Sequence, residues 1–579
     1  MIKTEDIHSF FYDRLLEAFH KETIDSHRVR CHNSLTLLLE LEEVVTDWIK
    51  GNIKVFDTVK FCLEETNAAI KNDTCLSFES CSCSILSDLL IDFKKNGEKD
   101  FSYARKVQYI LNSVIEENVP TYKQNLYNAI SSIVLTEFWD DDKDEMTVLE
   151  DLDRLITSFA TQLIHEGFSK IYLYKIVARV CNDTKHSFAA QVRYLNRLLC
   201  SGSIAPTTTI IKIPVNNLQK WISPILDLYD RIPDEYLSPA IVEAHQTFVT
   251  PSKATKYYIH NSIVAKDSVS ALKETRESLS RVMDVIHMGD SSVNINIPNS
   301  ALVISKNTDG SIHFEMAKEY VLDGGYRTNE MDVISLIDHI NRIRDDESIA
   351  DDVKERLNAA LRHLRIGNMQ NELEQRFINY WIALEFIFAS PEAKESTFTR
   401  LKANLMSLLS SCYIKRNIID MEKKLKKNGI IDKEDSLWLL DEGSLQDIIN
   451  SESNCLMRYR LRKIKSLIIK RDKRKNYFSV HETNIEHHLA RLYRLRNELI
   501  HEAAIKQDIE SVTSNLRYYL VFLLNQIVHF LLNVPHCSKK RQIGLSDFFY
   551  QYDLFERRIE ESYDLNVIMS VPCEISSVN

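Results

Sequence analysis

Glycine is scarce: 12 residues in a chain of 579, alongside 11 prolines, so glycine runs at about a third of its usual frequency. Sheet-rich folds with tight hairpins, and α/β folds with phosphate-cradling loops, rely on glycine for backbone conformations other residues avoid. Neither G-x-x-x-x-G-K-[ST] nor G-x-G-x-x-G occurs, which argues against a P-loop ATPase and a Rossmann dehydrogenase. The first residues, MIKTEDIHSFF, lack the basic and apolar regions of a secretory leader. The longest apolar stretch, YYLVFLLNQIVHFLLNV (518–534), is interrupted by Asn525, Gln526, His529 and Asn533. Those groups are costly in a bilayer, so the stretch reads as a buried helix and no membrane partner is expected. The 11 cysteines form no spaced framework and fit a reducing cytoplasm. With 44% hydrophobic and 27% charged residues, the chain is globular, and its length suggests about three or four domains. The expected fold class is mainly α, in a multidomain helical protein.

Residues 1–200 read as a run of amphipathic helices, a helical N-terminal domain with a sensing or regulatory role. Phe10, Leu15 and Phe19, then Leu35, Leu38, Leu39 and Val45, recur at helical spacing. Asp140, Asp141, Asp142, Asp144 and Glu145 read as a solvated acidic loop rather than a cation site. Cys75, Cys81 and Cys83 form C-x5-C-x-C, which lacks the C-x2-C knuckles of zinc sites. Between 201 and 345 the texture changes to a mixed α/β middle region. TTTIIKIPV (207–215), VNINIP (293–298), ALVIS (301–305) and GSIHFEM (310–316) are β-branched, with turn signals at Pro298-Asn299 and Asp309-Gly310. A small β element is expected there.

Helices resume from 346. In NELEQRFINYWIALEFIF (371–388), Leu373, Phe377, Trp381, Leu384 and Phe388 share one stripe. Further helices are expected over about 397–413, through HHLARLYRLRNELIHEAA, and over about 509–532. An antiparallel helical bundle within 346–535 is the simplest arrangement, followed by a C-terminal extension over 536–579.

The charge balance of 72 Lys+Arg against 83 Asp+Glu gives a net −11, the opposite of a general nucleic-acid coat. One segment runs against that average. MRYRLRKIKSLIIKRDKRKN (457–476) carries Arg458, Arg460, Arg462, Lys463, Lys465, Lys470, Arg471, Lys473, Arg474 and Lys475 against Asp472, a local charge of +9. Concentrated positive charge in an acidic protein is the footprint of a polyanion, and Tyr459, Tyr477 and Phe478 stand nearby to stack bases. The competing reading is a helix face that pairs with the protein's own acids.

Downstream lies Arg496-Asn497-Glu498-Leu499-Ile500-His501. An arginine followed within a few residues by a histidine is not informative alone: Arg14–His20, Arg281–His287 and Arg356–His363 satisfy the same loose spacing. The context distinguishes 496–501. An amide follows the arginine, Leu499 and Ile500 precede the histidine, and the string sits in the penultimate helix of the expected bundle. With the WIALEFIF helix upstream and the long apolar helix after it, the string resembles the HEPN superfamily of helical domains, and within it the Apea-like group. The resemblance covers about 170 of 579 residues; nothing comparable is found in 1–345.

The resemblance implies a metal-independent endoribonuclease, with no cofactor and no metal. RNA carries its own nucleophile, the 2′-OH. Cleavage then needs one group to move protons and another to hold the charged phosphate. His501 suits the first, with an unperturbed pKa of about 6.5. Arg496 suits the second, because its planar fork of donors matches phosphate oxygens. Asn497 would steady the imidazole or the phosphate. Arg496 and His501 lie about 140° apart around a straight helix, so Arg494 helps, or the long Arg496 side chain wraps, or a second copy completes the site. The family pairs its motifs across a dimer, which implies a homodimer or higher homo-oligomer. Glu385, a carboxylate on the apolar WIALEFIF helix, is a further supporting candidate. His481, His487 and His488 lie upstream without an H-E-x-x-H pattern or a cysteine partner, so no metal is assigned. By the same resemblance the setting is anti-phage abortive infection, with RNA (tRNA a candidate) as substrate, a phage-derived trigger, and the N-terminal region in control. The alternative is a non-catalytic HEPN-like module for dimerisation or RNA binding in a defence complex.

Overall fold

The computed structural model describes residues 3–20, 32–79, 81–137, 144–200, 206–215, 222–289, 295–306, 312–319, 330–370, 372–389, 394–501, 509–533 and 542–573. Helices dominate, as so little glycine requires. The first seven are α1 (Thr4–Phe19), α2 (Ser34–Lys50), α3 (Phe56–Lys71), α4 (Cys83–Asn96), α5 (Phe101–Asn118), α6 (Tyr122–Val134) and α7 (Glu145–His165). Local chemistry sets their ends. Asn33 accepts from the Thr36 N–H at 2.9 Å while the Thr36 hydroxyl accepts from the Asn33 N–H at 2.9 Å, a reciprocal cap that starts α2. Gly51, at φ 79°, ends it in the left-handed region where a side chain is strained.

Contacts divide the chain into two units, Gln162–Leu322 and the combination of Met1–Thr161 with Asp323–Asn579. The smaller unit holds α8 (Lys170–Cys181), α9 (Phe188–Leu199), the short α10 (Ile222–Ile225), α11 (Pro239–Ala244) and α12 (Gln246–Val249), and the long α13 (Ser268–Gly289). Its strands β1 (Thr207–Pro214), β2 (Thr255–Ile263), β3 (Ser300–Lys306) and β4 (Ile312–Lys318) form one antiparallel sheet in the order β2-β1-β3-β4. Ile211, Ile213 and Val303 pack with Leu272 and Leu279 of α13 on one face, while Ile210, Leu302 and Tyr257 pack with Ile232 and Ile241 on the other. Burial on both faces explains why TTTIIKIPV is nearly continuous in apolar residues. The expected small β element is present, with two differences. In VNINIP, Val293 and Asn294 lie outside the described residues, and Ile295 and Ile297 are buried without forming a strand. Strand β2, TKYYIHNSI, gave no clear alternation because it is a half-exposed edge.

The larger unit continues with α14 (Glu330–Asp345), α15 (Asp351–Met369), α16 (Leu373–Phe388), α17 (Thr397–Lys427), α18 (Glu442–Ser451), α19 (Cys455–Ile469), α20 (Arg471–His501), α21 (Ile509–Asn533), α22 (Leu545–Ser562) and α23 (Leu565–Ser570). Helix α17 runs well past the expected end near 413. Ile414, Ile418, Met421 and Leu425 are buried and keep the helical stripe going, and the turn follows only at Gly429, φ 68°. The large apolar cluster of this unit draws its buried members from residues 343–571, with Trp381, Leu384, Leu408, Leu492, Leu520 and Phe548 at its heart. No helix among the described residues is long and apolar enough to cross a membrane.

Candidate active site

The motif closes α20, a helix of 31 residues. Its Arg496 reaches across to α16, where Glu385 Oε1 lies 3.3 Å from a terminal guanidinium nitrogen. The same Glu385 oxygen accepts from Trp381 Nε1–H at 2.7 Å. Trp381 in turn lies beside Tyr493, which stacks on Phe398 at 4.0 Å between ring centroids. Asn497 accepts from the other terminal nitrogen of Arg496 at 3.1 Å. Thus Glu385 is held by a buried indole, and it holds Arg496 beside Asn497. The Arg496 side chain keeps 23% of its exposure, and its Nε is buried with no partner among the described residues. Helix α20 extends to His501, whose side chain lies outside the described residues. The arrangement presents a fixed, partly open guanidinium and an amide at the end of one helix, which is chemistry for holding an oxyanion.

Arg494 belongs to different surroundings. It pairs with Glu40 of α2 and lies 3.6 Å from Glu498. Burial pulls its pKa below the usual arginine value, against the pull of Glu498. Three residues back, Arg491 clasps Glu40 through two bonds of 2.8 Å and reaches Glu65 of α3 at 2.6 Å. The structure therefore brings Glu385, Arg496 and Asn497 together and turns Arg494 towards the N-terminal helices.

The basic run divides at Lys470, an extended residue between α19 and α20. On α19, Arg458 pairs with Asp6 at 2.6 Å, Arg460 with Glu17 at 2.7 Å and Arg462 with Glu145 at 2.7 Å. Lys463 lies 3.8 Å from Asp153, and Tyr459 donates to the same carboxylate at 3.0 Å. Burial pushes the Asp153 carboxyl up, but Arg14, Arg460 and Lys463 outweigh it and hold it well below the ordinary carboxylate range. Lys465 contacts Gln446 and Glu442. Arg471 donates to the Ser562 carbonyl, and buried Arg474 donates to those of Leu467, Ile468 and Tyr563. Lys470, Lys473 and Lys475 are exposed. Tyr459 and Phe478 are buried and Tyr477 stacks on Tyr413, so these rings are already used in packing.

The upstream histidines also point apart. His481 stacks on Tyr413, with ring centroids 3.4 Å apart, and burial with Arg416 nearby lowers its pKa to about 3. His488 shares a 2.9 Å hydrogen bond with the Tyr519 hydroxyl, and burial, with Arg491 and His32 adding to it, takes it to about 3. His487 lies 4.0 Å from Glu64. Among the described residues no group of three or more His, Cys, Asp or Glu side chains is placed to hold a metal ion. Cys75, Cys81 and Cys83 are free thiols; of the acidic loop, Asp140, Asp141 and Asp142 lie outside the described residues, while Glu145 is paired with Arg462.

Sequence reading missed Trp381 as a polar partner, because its place on the apolar stripe already explained it. It also passed over Arg491, which stands at i−3 from Arg494 and offers that spacing as its only signal. Compared with profiles of known families, with curated proteins and with solved structures, the chain matches none.

Proposed function

We propose that the chain is a metal-independent endoribonuclease of the HEPN type, with Arg496, Asn497 and His501 at its centre. The observation that carries this reading is the Trp381–Glu385–Arg496–Asn497 chain of contacts, which fixes a partly exposed guanidinium at the end of α20. A guanidinium tethered by one carboxylate keeps donors for a phosphate and is pre-positioned for it. In this reading Arg496 binds the scissile phosphate and stabilises charge on its oxygens, and Asn497 steadies the geometry. His501 takes the proton from the 2′-OH as that oxygen attacks phosphorus. The bond between phosphorus and the 5′-oxygen breaks, that oxygen takes a proton from solvent, and a 2′,3′-cyclic phosphate remains. The two motifs of a homodimer complete one site, tRNA is a candidate substrate, and the role is that of an anti-phage abortive-infection effector restrained by its N-terminal helices. Cytoplasmic residence belongs to the same reading.

The second reading is a non-catalytic bundle that dimerises or holds RNA. The Glu385–Arg496 pair favours it to this extent: such a pair also ties two helices together without chemistry. Incubating wild type and His501→Ala with total RNA and purified tRNA in EDTA separates the two. The ribonuclease reading expects discrete cleavage with cyclic phosphate ends from wild type, reduced ~10²–10⁴-fold in the variant. Equal cutting by both removes His501 from the mechanism. RNA bound but uncut by both proteins supports the binding module.

A further inference from the structure

Six cations line α19 and α20, and each meets a carboxylate from residues 1–161. Arg458, Arg460, Arg462 and Lys463 meet Asp6, Glu17, Glu145 and Asp153. Arg491 and Arg494 meet Glu40, and Arg491 also meets Glu65. Glu40 occupies the fork of Arg491 with both oxygens at 2.8 Å, which is the way guanidinium receives a phosphate. Arg491 is about 7.5 Å along the helix axis from Arg496 and about 140° around it, so this row of cations ends close to the motif on another face of α20.

Two observations make the contact replaceable. The large apolar cluster of the C-terminal helices takes its buried members from residues 343–571, so that core is built without α1, α2, α3 or α7. What joins those four helices to α19 and α20 includes Tyr459 edge-on to Phe10 and Phe61 beside His487, together with the ion pairs above. Buried ion pairs are a weak way to hold two surfaces together, because desolvation offsets most of the attraction. A contact of this kind is one that a polyanion can substitute, phosphate for carboxylate.

We propose that α1, α2, α3 and α7 act as an internal polyanion, covering an arginine row on α19 and α20 that RNA takes when those helices leave. The proposal rests on the ribonuclease reading above and names its regulation. It also accounts for a +9 segment whose arginines are largely spoken for in the resting chain.

The test starts with the unaltered full-length protein, so that no variant has to fold. Amide hydrogen exchange is followed with and without a 20-nucleotide single-stranded RNA, then repeated with Glu40→Gln/Glu65→Gln and with the milder Asp6→Asn/Glu17→Gln. Substitution is expected to speed exchange in α1–α3, leave α16 and α21 protected, and raise RNA affinity at least tenfold. It should also steepen the salt dependence, by about 0.7 in log–log slope for each further phosphate neutralised. RNA added to wild type should speed exchange in the same helices. RNA bound by wild type and both variants with equal affinity, and with α1–α3 unchanged, overturns the latch and leaves the ribonuclease reading standing. Helices released in the variants while RNA is neither bound nor cut overturns the ribonuclease reading, and the latch with it.

Discussion

Arg494 and Arg496 sit two residues apart on one helix and live in different worlds. At 100° per residue they project about 200° apart, one towards α2 and the other towards α16. Arg494 is enclosed by Glu40 and Glu498 and keeps 12% of its exposure; Arg496 has Glu385 and Asn497 and keeps 23%. The first is a charge neutralised from both sides, the second a charge that meets one carboxylate and one amide and keeps more of its exposure. The enclosed arginine ties α20 to α2 in the folded chain, whereas the more exposed one is where the ribonuclease reading puts the phosphate. The sharpest way to break this comparison is to remove one carboxylate or one arginine. Glu40→Ala leaves Arg491 and Arg494 buried and unpaired, and is expected to lower urea-unfolding stability by about 3–5 kcal/mol. Arg496→Ala is expected to cost about 1 kcal/mol or less in the same titration, yet, on the proposed ribonuclease reading, to reduce RNA cleavage at least ~100-fold. Equal stability losses would erase the distinction.

The pH dependence sharpens it further, because the same helix carries buried titrating groups. His481 and His488 have folded-state pKa values of about 3, against 6.5 as the ordinary value. Between those values the unfolded chain binds protons that the folded chain refuses. Their contribution is therefore complete above pH 6.5 and is lost on acidification, by up to about 1.4 kcal/mol per pH unit for each histidine. Glu482 on the same helix works in the opposite sense. Burial, with Glu556 and Glu560 close by, raises its pKa to about 7 from 4.5, so its contribution is present below 4.5 and fades as pH rises to 7. With two of these three groups against one, the net contribution of α20 should fall from pH 6.5 to 4.5. Chemical denaturation across that window should show a shallower loss for His481→Phe, which retains a ring against Tyr413, and a steeper one for Glu482→Gln.

Much of the helical frame was legible because it follows from periodic burial. The stripe through Leu373, Phe377, Trp381, Leu384 and Phe388 became α16, with its buried face in the shared core. The end of α17 was harder to place, since Lys415, Arg416 and Asn417 interrupt a stripe that Ile414, Ile418 and Met421 nevertheless continue. Glu385 stood out as a carboxylate on an apolar helix, and the structure puts it on Arg496. Glu40 could not stand out. It is one of several acids on an ordinary amphipathic helix, and its partners lie 451 and 454 residues away in sequence. Pairing over that distance is a property of the folded surface, with no periodicity in the chain to announce it. The basic run shows the same limit: its composition is plain, but whether its arginines face solvent or acids depends on helices hundreds of residues earlier.

The smallest expected effect asks how the open side of Arg496 stays aligned. Glu385 receives the Trp381 Nε1–H at 2.7 Å and lies 3.3 Å from the Arg496 guanidinium. Trp381→Phe keeps an aromatic ring beside Tyr493 but removes the donor, leaving Glu385 free to take other rotamers. The lost hydrogen bond to a charged group costs about 1.5–3 kcal/mol at most, and less where water reaches the carboxylate; Glu385 keeps 34% of its exposure. Arg496 itself is unaltered, so RNA affinity should be nearly unchanged while cleavage falls about tenfold, as expected when only alignment in the transition state is disturbed. A matching fall in affinity would mean that Trp381 shapes the RNA surface directly. No fall in either would mean that Arg496 is aligned without the indole, and that Asn497, on its own helix, is sufficient to hold it.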